Sequence, residues 1–240
     1  MQKPRERFIE IDCLRVIAIV LMVAYHLAYD LQIYYEFETN LYGMFWSVLE
    51  KISAGMFLLL TGLCFTLSWE ASPQYGKFLK RGLRILAYAA VISIVTYAFD
   101  PPTYVRFGIL HLIAGTTVLL PLFAPLRRLN LLIGLLILWV GISTKGTTVD
   151  TSLLLPLGFL PAGFESVDYF PLLPWFGISL IGMALGYGYG TSGTRWFVPT
   201  GLKTKQKAII EAISKQSLLI YMLHQPVLLL LLSLILGTGL

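Results

Sequence analysis

The chain has 240 residues, of which 57% are hydrophobic and 13% charged, and its mean hydropathy is +0.75. Soluble domains carry about 25% charged residues, so an ordinary soluble enzyme is excluded, as are a disordered chain, a disulfide scaffold and a collagen-like repeat. The net charge of +5 points to anionic lipid or a polyphosphate ligand and, without a basic-aromatic module, not to nucleic acid.

The apolar residues come in long runs, and a helix needs roughly 20 of them to cross a hydrocarbon layer about 30 Å thick. Seven spans are expected: Leu14–Tyr34, Met44–Ser68, Gly82–Phe99, Gly108–Ala124, Leu129–Ser143, Pro174–Tyr189 and Ile209–Leu236. The first is too long for a secretory signal, and its leader carries Glu6, Glu10 and Asp12 among basic residues, so it reads as a retained helix. The runs lack the two-residue alternation of a membrane β-barrel. The connection from Thr144 to Leu173 contains Ser152–Phe164, interrupted by Pro156, Gly158, Pro161 and Gly163. This stretch is too short to span, and an interfacial or re-entrant segment is expected there, either an outer lid over a pocket or a plain interfacial loop.

Basic loops stay cytoplasmic. With the N-terminus inside, the cytoplasmic side holds Lys3, Arg5, Arg7, Lys77, Lys80, Arg81, Arg84, Arg127, Arg128, Arg195, Lys203, Lys205, Lys207 and Lys215; the outer side holds only Lys51, Arg106 and Lys145. The expectation is therefore an all-α polytopic membrane helix bundle of about seven transmembrane helices, one domain over residues 1–240. Its N-terminus is cytoplasmic and its C-terminus outside. Cys13 and Cys64 then fall near the cytoplasmic ends of adjacent spans, where thiols stay reduced.

All three histidines, His26, His111 and His224, lie within expected spans. Ionisable groups at that depth face a bundle interior or a wet cavity. On the first helix Asp30 at i+4 and Tyr29 at i+3 lie beside His26. Arg15, eleven residues earlier, shares nearly the same azimuth about 16 Å toward the cytoplasm. The stripe Arg15, His26, Asp30 is consistent with a carboxylate-oriented imidazole base or with an interhelical hydrogen-bond network. Asp12 and Arg15 form an expected i, i+3 pair at the membrane boundary. Pro226, two residues after His224, removes a backbone hydrogen bond and kinks the last helix. Trp175 is an interfacial belt residue or a stacking platform for a sugar. Lys77, Lys80, Arg81 and Arg84, with Arg127 and Arg128, ring a basic cytoplasmic mouth suited to a polyphosphate ligand. The histidines lack the spacing of a metal motif such as HExxH, so no metal is expected. There is no Walker-type glycine loop, no GxSxG elbow, and no lysine at mid-depth in the last span for a retinal Schiff base.

The first-span string RFIEIDCLRVIAIVLMVAYHLAYDL, with FGILHLIAG at Phe107–Gly115, DYFPLLPWFGISLIGMALG at Asp168–Gly186 and SLLIYMLHQPVL at Ser217–Leu228, closely resembles the prokaryotic relatives of the heparan-α-glucosaminide N-acetyltransferase catalytic domain. The wider transmembrane acyltransferases are similar in an Arg-then-His first helix and a late Tyr-x-x-His helix. The resemblance implies an integral membrane enzyme, of a prokaryotic cytoplasmic membrane, that transfers acetyl from cytoplasmic acetyl-CoA to a glycan or glycolipid acceptor on the far side. Combined with the polar stripe of the first helix, this leads to the expectation of His26, oriented by Asp30, as general base, with direct transfer and an acetyl-histidine intermediate both open. His111 and His224 are then further catalytic-site histidines. Arg15, Lys77, Lys80, Arg81, Arg84, Arg127 and Arg128 hold the CoA, and Tyr29, Trp175 and Asp168 contact the acceptor. Membrane lipids are partners, and homo-oligomers are compatible with the pattern. The readings from other classes are a small transporter or flippase for a glycolipid or small molecule, although no internal repeat is evident, and a non-catalytic lipid- or partner-binding membrane scaffold.

Overall fold

The computed structural model describes residues 8–190, 195 and 199–237; Lys3, Arg5 and Arg7 of the basic leader, and its Glu6, lie outside the described residues. Every regular element among these is helical: α1 (Ile9–Tyr35), α2 (Met44–Ala71), α3 (Tyr75–Phe99), α4 (Ile109–Phe123), α5 (Asn130–Ser143), α6 (Leu172–Gly190), α7 (Thr204–Lys215) and α8 (Ser217–Leu236), with short 3-10 segments at Ala124–Leu129 and Ser152–Leu157. Six segments among the described residues are long and apolar enough to cross a membrane. One of them, Ile109–Ser143, comprises α4 and α5 and is interrupted at Arg127, whose φ of 44° and ψ of −119° break the helix. The expected fourth and fifth spans are thus separate helices. Asn130, fully buried, holds the break by donating Nδ2 to the carbonyls of Phe123 (2.8 Å) and Arg127 (2.9 Å).

Two boundaries differ from the hydropathy reading. Helix α3 starts at Tyr75, seven residues before the apolar run, so that Lys77, Lys80 and Arg81 occupy its first two turns; straight-chain basic residues sustain a helix where no hydrocarbon demands apolarity. The expected span Ile209–Leu236 is broken at Gln216 (φ −97°, ψ 12°) into α7 and α8. Helix α7 alternates Lys205, Lys207 and Lys215 with Ile209, Ile210 and Ile213, the pattern of a helix lying along an interface.

The chain divides into two compact units. One holds α1, α2 as far as Phe57, α7 and α8; the other runs from Leu58 to Arg195. In the first, α8 runs in the same direction as α1: Ser214 at the end of α7 meets Asp12 and Arg15 near the start of α1, and along α8 His224 then meets His26 and Gln225 meets Asp30. Ser53 of α2 ties in by donating to the Ala18 carbonyl, 3.0 Å.

In the second unit, α6 packs against the later half of α2 at backbone range. A Cβ at Gly62 would lie 1.9 Å from the Ser179 carbonyl oxygen, and one at Gly182 2.1 Å from that of Leu59. Apolar burial gives little drive between helices already in hydrocarbon, so close approach at small residues and interhelical hydrogen bonds hold them. Thr66 donates to the Met183 carbonyl (2.8 Å) and Ser179 to that of Leu58 (3.1 Å). Around this contact lie Phe65, Phe78, Leu120, Phe176, Leu180 and Tyr187, and the Tyr187 hydroxyl donates to the Ala124 carbonyl at 2.9 Å. Helix α5 packs antiparallel on α6, through Gly134 against Gly177 and Gly141 against Pro174.

The segment expected as a lid or interfacial loop begins with the 3-10 turn Ser152–Leu157 and reverses at Gly158, φ 112°. Tyr169 fastens it by donating its hydroxyl to the Leu155 carbonyl, 2.7 Å. Burial pushes that hydroxyl up to about 12, so it is a donor at all physiological pH.

Candidate functional site

The first unit brings two of the three histidines together across 198 residues of sequence (224 − 26). The His26 and His224 rings meet edge to face, 4.5 Å between centroids and 87° between planes. The Nδ1 of His26 lies 2.9 Å from the Met22 carbonyl, and that of His224 2.6 Å from the Tyr221 carbonyl. A carbonyl only accepts, so in each neutral ring Nδ1 carries the proton and Nε2 keeps the lone pair. Both imidazoles therefore present Nε2 as a proton acceptor, the state a general base requires.

Asp30 does not orient His26, although the i, i+4 spacing led to that expectation. The Met22 carbonyl, one turn earlier, accepts the hydrogen bond from His26 Nδ1, and the Asp30 carboxylate accepts instead from Gln225 Nε2 on α8 at 2.5 Å. Asp30 is 0% exposed. Its Oδ2, the Nε2 of His224 and the Oε1 of Gln225 are buried and have no hydrogen-bond partner among the described residues. Buried polar groups are nearly always paired. Three unpaired acceptors on neighbouring side chains form a group that can accept hydrogen bonds from a donor-bearing ligand or from water. Gln225 does not stand out in the sequence; the available signal is an amide between an intramembrane His and Pro in HQP. Tyr29, on the same stretch of α1, is half-buried.

Nearer the start of α1, the expected Asp12–Arg15 pair is present, with Nη1 to Oδ1 at 3.5 Å. It is tied to α7 by Ser214, whose hydroxyl accepts from Arg15 at 2.7 Å and donates to Asp12 at 2.5 Å. Asp12 and Ser214 are buried, and so is Glu10. This network accounts for Arg15 as a helix-joining residue.

The second unit places His111 and Asp168 together at the start of α4. The Gly108 amide donates to His111 Nδ1 (3.2 Å), which makes Nε2 the protonated nitrogen, 3.4 Å from Ser93 Oγ. The Asp168 carboxylate accepts from the Ile109 amide at 3.2 Å, where the helix leaves backbone donors unpaired and favours negative charge. A Cβ at Gly108 would lie 2.1 Å from that carboxylate. His111 and Asp168 therefore close the α4 terminus, and His111 has the opposite tautomer from the other two histidines. Trp175 stacks edge-on with Phe170, 4.9 Å between centroids.

All six basic residues of the expected mouth, Lys77, Lys80, Arg81, Arg84, Arg127 and Arg128, are exposed. Lys77 donates to Ser68 Oγ at 2.5 Å and, with Gln74, Gly76 and Lys80, lines an open cleft. Arg127 lies over the Tyr187 ring at 5.7 Å. The cysteines are free thiols, and among the described residues no three His, Cys, Asp or Glu side chains gather as metal ligands would.

The family model described as heparan-α-glucosaminide N-acetyltransferase, catalytic, matches residues 7–226. No curated protein and no solved structure matches the chain.

Proposed function

The chain belongs to the heparan-α-glucosaminide N-acetyltransferase catalytic family, a family of membrane acyltransferases, and from that premise we propose that it transfers acetyl from cytoplasmic acetyl-CoA to a sugar or glycolipid acceptor on the far side of the membrane. The observation that carries this reading is the half-buried pair His26 and His224, each with Nδ1 held by a backbone carbonyl and Nε2 left with its lone pair.

In the proposed reaction the acceptor hydroxyl or amine attacks the thioester carbonyl carbon while its proton passes to His26 Nε2. The tetrahedral intermediate collapses with cleavage of the C–S bond, and the CoA sulfur takes the proton back from His26. The acylated acceptor leaves uncharged at its new bond, CoA leaves as the protonated thiol, and the base is regenerated. His224 and Asp30 flank the imidazolium that forms on the way, and the nearby carboxylate lowers the energy of that cation. Lys77, Lys80, Arg81 and Arg84, with Arg127 and Arg128, attract the CoA phosphates from the cytoplasmic side. This rests on the orientation in which basic loops are cytoplasmic.

The test is thioester loss by the purified protein in nanodiscs, followed with labelled acetyl-CoA and a panel of hexosamines and membrane glycolipids. Acceptor-dependent release of CoA with label in the acceptor supports the reading. Absence of turnover with every acyl-CoA and acceptor, in protein that remains folded, overturns it.

A further inference from the structure

Gln225 stands beside His224 on α8, and its side-chain amide is the one hydrogen-bond donor to the Asp30 carboxylate among the described residues. Asp30 is wholly enclosed and lies one turn beyond His26 on the same face of α1. The two links between these helices, amide to carboxylate and ring to ring, therefore involve successive residues on α8 and successive turns on α1. Fixing one fixes the other.

We propose that Gln225 is a positioning residue of the reaction centre: by holding Asp30 to α8 it sets the register in which His26 and His224 meet. The proposal rests on the acyltransferase reading for its kinetic consequences and on geometry alone for its structural ones. Three features support it. A buried carboxylate in an apolar surround is costly when unpaired, so Asp30 follows the one donor it has. The amide proton given to Asp30 also fixes which way the Gln225 side chain faces, turning Oε1 into one of the three unpaired acceptors. Pro226 follows directly; it denies the Met222 carbonyl its usual helical donor, so the backbone alone does not hold this part of α8 rigid. Gln225 itself accepts no proton from the acceptor and touches no reacting atom.

Kinetics of three variants test this. Gln225→Leu keeps the approximate volume and removes the donor; Asp30→Asn removes the charge; Asp30→Asn with Gln225→Glu restores one amide–carboxylate bond with its polarity reversed. Gln225→Leu is expected to lower kcat roughly 10-fold to 100-fold, the equivalent of one hydrogen bond to a charged group, with KM for acetyl-CoA unchanged. The double variant is expected to recover activity above both single variants. A Gln225→Leu enzyme with wild-type kcat, or a double variant no better than the singles, overturns the proposal.

A second readout needs no turnover. In a Cys13→Ser, Cys64→Ser background, His26→Cys and His224→Cys provide two thiols that are joined by a short crosslinker. Crosslinking is expected to slow several-fold in Gln225→Leu and to recover when the reversed pair is installed. An unchanged rate overturns the positioning role even if acetyl transfer is found, and a slowed rate in protein that turns over no acyl-CoA sustains it while the acyltransferase reading fails.

Discussion

Expectations of opposite sign follow for two glycines, Gly62 in the contact between α2 and α6 and Gly115 on α4. Replacing Gly62 by alanine places a methyl group 1.9 Å from the Ser179 carbonyl oxygen, an atom of backbone that cannot rotate away, so the helices must part by more than about 1 Å to reach ordinary contact. Overpacking of this kind costs about 1–3 kcal/mol. Parting also stretches the Thr66–Met183 and Ser179–Leu58 hydrogen bonds, worth about 0.6 kcal/mol each between membrane helices. Against this stands the gain of about 1 kcal/mol from replacing glycine by alanine within a helix. The net expectation is a loss of about 1–3 kcal/mol. A Cβ added at Gly115 on α4 would meet nothing within 4 Å, so Gly115→Ala gains up to about 1 kcal/mol from helix propensity alone. The assay is the folded fraction surviving a temperature series in detergent, read by fluorescence-detected size exclusion. The order Gly115→Ala, wild type, Gly62→Ala from most to least stable is expected. A Gly62→Ala protein that survives as well as wild type would refute the close-approach reasoning.

Three further predictions concern separate parts of the chain. Lys80→Gln and Arg84→Gln should each raise KM for acetyl-CoA about fivefold, at about 1 kcal/mol per cation near a charged ligand, with no effect on a phosphate-free acetyl-pantetheine substrate; equal effects on both substrates would argue against phosphate attraction. Ser214→Ala removes the hydroxyl that joins Arg15 to Asp12 and should cost about 1–3 kcal/mol, seen as a lower melting temperature; an unchanged melt would mean that water replaces the hydroxyl. Tyr169 has its hydroxyl pushed above the usual 10 to about 12 by burial, so the native state holds this proton more tightly than the unfolded one. Its contribution is fully present below pH 10 and declines as pH rises from 10 toward 12. The stability advantage of wild type over Tyr169→Phe, followed by thermal unfolding, should therefore be constant from about pH 7 to 9 and shrink above about 10; an advantage that grows with pH would contradict the burial.

Hydropathy made most of the helices legible because hydrocarbon thickness imposes its length on the sequence. It failed where that constraint lapses. Residues 75–81 are helical beyond the apolar run, and Ile209, Ile210 and Ile213 of α7 blend into the run of α8 although they belong to a separate amphipathic helix. The reversal at Pro125–Arg128 was visible as a polar, proline-bearing gap. Among functional groups, local spacing correctly paired Asp12 with Arg15, for which i, i+3 geometry suffices. The same reasoning misassigned the partner of His26, because a backbone carbonyl one turn back competes with any side chain at i+4. The meeting of His26 with His224, and of Asp30 with Gln225, joins the two ends of the chain, and helical periodicity carries no information about contacts at that separation.

The most direct test of the central claim is single-turnover acetyl transfer by His26→Gln beside wild type, in nanodiscs, with retained folding verified by the same size-exclusion profile. A positioned general base contributes about 10²-fold to 10⁴-fold, so the acetyl-transfer step is expected to slow by at least about 100-fold while acetyl-CoA still binds. A variant that transfers acetyl at the wild-type rate would contradict the account and remove His26 from the chemistry.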